Sequence, residues 1–164
     1  MMPDPAGQLP DLRIALYQPD IPGNTGAIMR LAACFGVGLD VIGPVGFDMS
    51  DRALRRAGMD YREMATLRRH DDWDAFEVER KEHGRRLVLF TTAAAISYAD
   101  FAFASSDILL FGRETAGAPE HVHAATDARL LIPMPGGGRS LNLAMSAAIG
   151  LSEAMRQLRA ADRP

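Results

Sequence analysis

Short uninterrupted apolar runs alternate along the chain with stretches whose apolar residues recur every three or four positions. The runs predict strands over residues 12–17, 38–42, 64–67, 86–91, 107–111 and 128–132. Leu87-Val88-Leu89-Phe90 and Ile108-Leu109-Leu110-Phe111 carry no polar residue, the mark of strands covered by helices on both faces. The periodic stretches predict helices over residues 24–35, 51–57, 72–83 and 141–159, with a short helical turn at 119–123. Ser50 and Asp71 or Asp72 stand where N-caps belong, and Gly58 and Gly84 where helices stop. In the last helix Leu141, Ala144, Ala148, Leu151, Met155 and Leu158 form a narrow, partly alanine stripe. Such a stripe suits a core helix and also a self-association surface. Strand-helix alternation of this kind predicts an α/β domain with a largely parallel sheet over residues 12–159, between a loose leader (1–11) and a short tail (160–164).

With 164 residues, 48% of them hydrophobic and 24% charged, the chain has the makings of one folded domain and not of a disordered one. No apolar stretch is long enough to cross a bilayer, and no secretory signal pattern opens the chain. A single cysteine, Cys34, excludes an internal disulfide and fits a reducing cytoplasm. Net charge is −3, which argues against holding nucleic acid by bulk positive charge. The charge is uneven, however. Residues 52–69 hold six arginines against Asp60 and Glu63, a balance of +4, and residues 71–84 balance at −4. All basic residues but Lys81 are arginine, whose planar fork suits phosphates and whose face stacks on bases.

Three polar islands interrupt the apolar pattern after the first, fifth and sixth predicted strands. They are Pro19-Asp20-Ile21-Pro22-Gly23-Asn24-Thr25-Gly26, Gly112-Arg113-Glu114-Thr115-Ala116-Gly117-Ala118-Pro119 and Pro133-Met134-Pro135-Gly136-Gly137-Gly138-Arg139-Ser140-Leu141-Asn142. Parallel sheets bind ligands beyond the carboxyl ends of their strands, so three such islands predict one composite site. Each alone has a plainer meaning: a capped tight turn, a turn glutamate, a slack glycine loop. Neither a dinucleotide fingerprint nor a P-loop is present. Four scattered histidines, His70, His83, His121 and His123, do not make a metal site, and Ser140 lacks a hydrolase elbow.

Asn24-Thr25-Gly26 with Arg30, then Phe111-Gly112-Arg113-Glu114, then Ile132-Pro133-Met134 with Ser140-Leu141-Asn142-Leu143-Ala144, resemble the three ordered motifs of SpoU-type RNA 2′-O-ribose methyltransferases of the SPOUT superfamily. The resemblance spans residues 12–157. Two further stretches, residues 16–22 and 54–61, are similar to the small tRNA (cytidine/uridine-34-2′-O)-methyltransferases, which modify the wobble nucleotide. Arg113 departs from that subgroup, where proline commonly follows the glycine. The resemblance implies a single-domain parallel-sheet SPOUT fold with a C-terminal trefoil knot, an obligate homodimer, S-adenosylmethionine as cofactor, and tRNA as substrate with neither membrane nor metal involved. It implies cofactor contacts from Phe90, Thr91, Gly112, Ile132, Met134, Ser140 and Leu141. It assigns removal of the 2′-hydroxyl proton to Arg30, with Asn24, Glu114, Ser140 and Asn142 orienting the arginine, ribose or cofactor. A guanidinium releases its proton only above ~12, so a fixed positive charge stabilising the developing alkoxide is the chemically easier role. With no added RNA-binding domain, Arg52, Arg55 and Arg56 are the expected RNA contacts, with Arg139 nearer the site. The alternatives are ribose methylation elsewhere in tRNA or rRNA, a SPOUT-fold RNA-binding protein without activity and, more remotely, a small nucleotide-binding oxidoreductase.

Overall fold

The computed structural model describes residues 10–161, so residues 1–9 of the expected leader and 162–164 of the expected tail lie outside the described residues. Seven strands run in one direction: β1 (Arg13–Tyr17), β2 (Gly38–Ile42), β3 (Leu67–His70), β4 (Leu87–Phe90), β5 (Ile96–Ser97), β6 (Ile108–Phe111) and β7 (Ala128–Leu131). They form one parallel sheet in the order β3-β2-β1-β6-β4-β7-β5. Among the described residues five α-helices lie between them, α1 (Pro22–Phe35), α2 (Asp51–Arg56), α3 (Tyr61–Ala65), α4 (Trp73–Glu82) and α5 (Glu120–Ala125), with a 3-10 turn at Tyr98–Asp100, and α6 (Leu143–Ala161) follows β7.

The unbroken apolar runs have the expected cause, because successive residues serve opposite faces of the sheet. Ile14, Leu16, Val88, Phe90, Leu109 and Phe111 join Ile28 and Met29 of α1 and Ala147 and Leu151 of α6 in one core. Ala15, Tyr17, Leu87, Leu89, Ile108 and Leu110 join Phe76 of α4 and Val122 of α5 in another. The sheet also buries a charged group. Arg13 Nε donates to Asp40 Oδ2 at 2.6 Å, and His70 Nε2 lies 2.7 Å from Asp40 Oδ1. Burial pushes the Asp40 carboxyl up, but hydrogen bonding to His70 and Arg13 outweighs it, and the pKa falls below the usual carboxylate value. Gly38 leaves room for the Arg13 guanidinium, which any β-carbon there would strike.

Three expectations shift. Of the strand expected over residues 64–67 only Leu67 belongs to one: Asp60 and Glu63 form a capping box that starts α3, and β3 begins at Leu67. The last helix begins at Leu143, because Asn142 Oδ1 accepts from the amides of Ala144 (2.9 Å) and Met145 (3.3 Å) as its cap. Its buried line is Leu143, Ala147, Gly150, Leu151, Ala154 and Met155, rotated from the predicted stripe. Gly150 sets that rotation, since a β-carbon there would lie 2.7 Å from the Phe90 ring.

Candidate functional site

The sheet order makes β1, β6, β4 and β7 neighbours, so their carboxyl ends adjoin although the strands are far apart in the chain. All three polar islands therefore converge. Between them and the start of α6 lies a cavity of about 620 Å³, within the range of small-molecule and cofactor sites. Phe90 and Thr91 enter it from the end of β4, Gly112 from β6 and Ile132 from β7. Met134, Ser140 and Leu141 come from the last loop. Asn24, Glu114 and Asn142 also reach its wall.

Gly112 is required here by contact rather than by backbone angle. A β-carbon at this position would lie 2.5 Å from both Ala118 N and the Gly117 carbonyl carbon. The chain folds back there in a two-bond bracket, Arg113 N to Gly117 O (3.0 Å) and Gly117 N to Arg113 O (2.9 Å). Gly117 takes φ +65°, a left-handed conformation that suits glycine.

The first and second islands are bolted together by two carboxylates. Glu114 accepts from the amides of Asp20 (2.7 Å) and Ile21 (3.2 Å), satisfying backbone donors just ahead of α1. In return Asp20 accepts from the Arg113 guanidinium (2.6 Å) and the Thr115 hydroxyl (2.7 Å). The Arg113 and Thr115 hydrogen bonds hold the Asp20 carboxyl down to about 2, and the bond to Asp20 raises Arg113. Both Glu114 oxygens are thus engaged by amides, which makes it a loop-orienting group. The third island joins through Asn142, whose Nδ2 donates to Asn24 Oδ1 at 3.1 Å. With its own oxygen capping α6, Asn142 has only its amino group to offer Asn24.

Arg30 is elsewhere. It lies further along α1 than Asn24 and does not line the cavity; its side chain is 63% exposed and donates from Nε to Glu63 Oε1 at 2.9 Å. Arg139 is exposed on the last loop, and Arg52, Arg55 and Arg56 belong to α2, the latter two exposed in its last turn. None of these four takes part in an ion pair among the described residues, whereas Arg68 pairs with Glu79 and Arg69 with Asp51. Sequence reasoning missed several residues in and beside the site, among them Thr92 and Ala93, which line the cavity after β4. His123 of α5 and Ser146 of α6 line the cavity, and Glu63 holds Arg30. Only the spacing Asp60-x-x-Glu63, a capping-box signature, could have flagged the last.

Among the described residues no helix is long and apolar enough to cross a membrane, and no three His, Cys, Asp or Glu side chains are grouped to hold a metal ion. The fold has close counterparts. A solved structure concerned with 2-OH methylation of C/U34 on tRNA superimposes with a TM-score of 0.84 at 42% identity, covering 93% of this chain and 99% of its own. An AdoMet-bound rRNA methyltransferase from Sinorhizobium meliloti superimposes with a TM-score of 0.79 at 28% identity, covering 92% of this chain and 58% of its own. Two tRNA (cytidine(34)-2′-O)-methyltransferases are similar throughout. That of Beijerinckia indica is 54% identical, covering 88% of this chain and 91% of its own. That of Ancylobacter novellus is 51% identical, covering 89% of this chain and 92% of its own. The model of the SpoU rRNA Methylase family matches residues 11–152. With its three motifs gathered at the carboxyl ends of one parallel sheet, the chain belongs to that family.

Proposed function

We propose that this protein transfers a methyl group from S-adenosylmethionine to the ribose 2′-hydroxyl of the wobble nucleotide (C34 or U34) of tRNA. The observation that carries the reading is the convergence of three sequence-distant islands on one cavity of cofactor size. The residues present fit the cofactor. Phe90, Ile132 and Leu141 offer apolar walls for an adenine. Gly112 lets the chain return against it at Gly117 and Ala118, so backbone of both segments forms the wall a ligand would meet. When bound there, S-adenosylmethionine supplies the sulfonium methyl group.

The chain's own residues then have separate tasks. Phe90, Thr91, Gly112, Ile132, Met134, Ser140 and Leu141 enclose the cofactor. Asn24, fixed by Asn142, keeps an amide amino group free of protein partners among the described residues and available to orient ribose or cofactor. Ser140 offers a hydroxyl at the same wall. Arg30 acts as a fixed cation stabilising the alkoxide as the 2′-proton passes to water by way of a substrate phosphate, while the methyl group leaves the sulfonium and its sulfur departs as the neutral thioether. Its place outside the cavity lining favours a homodimer in which paired copies complete one another's sites. Exposed apolar Ile21, Leu141 and Met145, the last 63% exposed, support pairing on that side. The C-terminal trefoil knot and a cytoplasmic location belong to the same reading. Arg52, Arg55, Arg56 and Arg139 meet tRNA phosphates, a local positive field on a chain of net charge −3.

The test is incubation with labelled S-adenosylmethionine and total tRNA or rRNA, followed by nucleoside mapping. Label in 2′-O-methylated nucleotide 34 of tRNA is expected. Label confined to another tRNA position or to rRNA would overturn the substrate assignment. No 2′-O-methyl product in any RNA would leave an RNA-binding protein without this activity.

A further inference from the structure

One buried acid, held against Arg30, has no part in the scheme above. Glu63 is the third residue of α3, and its side chain is only 8% exposed. A carboxylate removed from water to that degree is costly unless both oxygens are engaged. Both are. Oε2 accepts the Asp60 amide at 2.6 Å, closing the capping box, and Oε1 accepts from Arg30 Nε at 2.9 Å. The acid is itself rigidly held: its amide donates to Asp60 Oδ1 (3.0 Å) and its carbonyl accepts the Thr66 hydroxyl (2.9 Å). Behind it, Met59 lies against Gly26 of α1, so α3 is docked on the helix that carries Arg30.

The point of attachment matters. An arginine gripped at Nε has the plane of its fork set, while its two terminal amino groups stay available. Among the described residues neither of those groups of Arg30 has a hydrogen-bond partner, and the side chain remains 63% exposed. A surface arginine otherwise samples many rotamers, and ordering it at the moment of reaction has an entropic cost. A cation whose orientation is already fixed stabilises developing charge without that cost.

We propose that Glu63 is a positioning residue that sets the guanidinium plane of Arg30 for the methyl-transfer step. The same short helix presents exposed Tyr61 and Arg62 to solvent, close in sequence to the arginines of α2. RNA engaging α3 would therefore meet the element that aims Arg30. The inference rests on the electrostatic role proposed for Arg30.

Glu63→Gln is nearly isosteric and can keep the bond to the Asp60 amide, but it loses the charge and one of the two acceptor oxygens. It is expected to lower kcat by roughly 10–100-fold, the scale of a misplaced catalytic group, with melting temperature and S-adenosylmethionine affinity unchanged. In 15N-arginine-labelled unaltered protein, the Arg30 Nε–H resonance (assigned by its loss in Arg30→Lys) should exchange slowly with water. That protection should vanish in Glu63→Gln. Exchange of Arg30 as fast as that of exposed Arg52 in the unaltered protein would overturn the proposal. So would full activity of Glu63→Gln beside an inactive Arg30→Ala, which leaves the arginine's role standing. Full activity of Arg30→Ala would remove that role and this proposal together. Loss of activity in Glu63→Gln accompanied by lower melting temperature and weaker cofactor binding would assign Glu63 to the scaffold instead.

Discussion

Replacing Gly112 by alanine adds one methyl group at the tightest point of the cavity wall. The new β-carbon would stand 2.5 Å from Ala118 N, 2.5 Å from the Gly117 carbonyl carbon and 2.9 Å from Gly117 Cα, all backbone atoms. Ordinary contact begins near 3.4 Å, so the returning chain has to retreat by about 1 Å, as rotamer changes cannot relieve a backbone clash. Retreat strains the two Arg113–Gly117 bonds of 3.0 and 2.9 Å and pulls on Glu114, which holds the first island through Asp20 and Ile21. Overpacking of this kind costs about 1–3 kcal/mol, or about 2–4 °C of melting temperature per kcal/mol in a chain of this size. Displacing the wall by about 1 Å should reduce kcat/KM roughly 100-fold. Thermal denaturation and steady-state methyl transfer measure these two effects, and calorimetric titration with S-adenosylmethionine should show weaker binding to the displaced wall. Gly46→Ala is the control, since a β-carbon there meets nothing within 4 Å. A Gly112→Ala protein with unaltered melting temperature and cofactor affinity would refute the crowding argument.

Two further perturbations test the electrostatics. The Asp20 carboxyl is held near 2, below its ordinary 3.8, so its bonds to Arg113 and Thr115 stabilise the fold above about pH 4 and lose that contribution as pH falls through 2. Asp20→Asn should accordingly melt below the unaltered protein at pH 5–7, the difference shrinking below pH 4; a pH-independent difference would contradict the assignment. Arg55→Ala with Arg56→Ala should weaken tRNA binding and reduce its salt slope by roughly 1 for each phosphate no longer neutralised. An unchanged slope in filter-binding titrations would remove α2 from the RNA surface.

The central strands were legible because burial on both faces leaves them no polar positions, as in Leu87–Phe90 and Ile108–Phe111. At the margins that signal fails. Edge strand β3 carries exposed Arg68 and Arg69, and its first residue, Leu67, reads as one strand with the apolar Met64 although a helix ends between them. β5, two residues long, is too short to leave a pattern. The islands were visible as polar interruptions, and so was the need for a common site. Their mutual contacts were not, because Glu114 meets Asp20 across 94 positions and only the strand order brings them together. Glu63 was hidden for another reason. In a basic stretch it reads as a stray solvated acid, and nothing local indicates that Arg30 of α1 reaches it.

The place of β6 between β1 and β4 also fixes when the molecule can take shape. Ile14 pairs with Leu109, so the middle of the sheet requires closure of a loop of about 95 residues. The logarithmic part of that closure alone costs about 4 kcal/mol. While the chain is being synthesised, β1 to β3 can assemble early, but the inner edge of β1, with Ile14 and Leu16, has no partner until Phe111 has emerged. A chain cut short before β6 would carry that apolar edge permanently, an invitation to aggregate. β7 and α6 arrive later still and supply the remaining walls around Ile132, Ser140 and Leu141. The reaction chamber closes only after every strand of the sheet has been made.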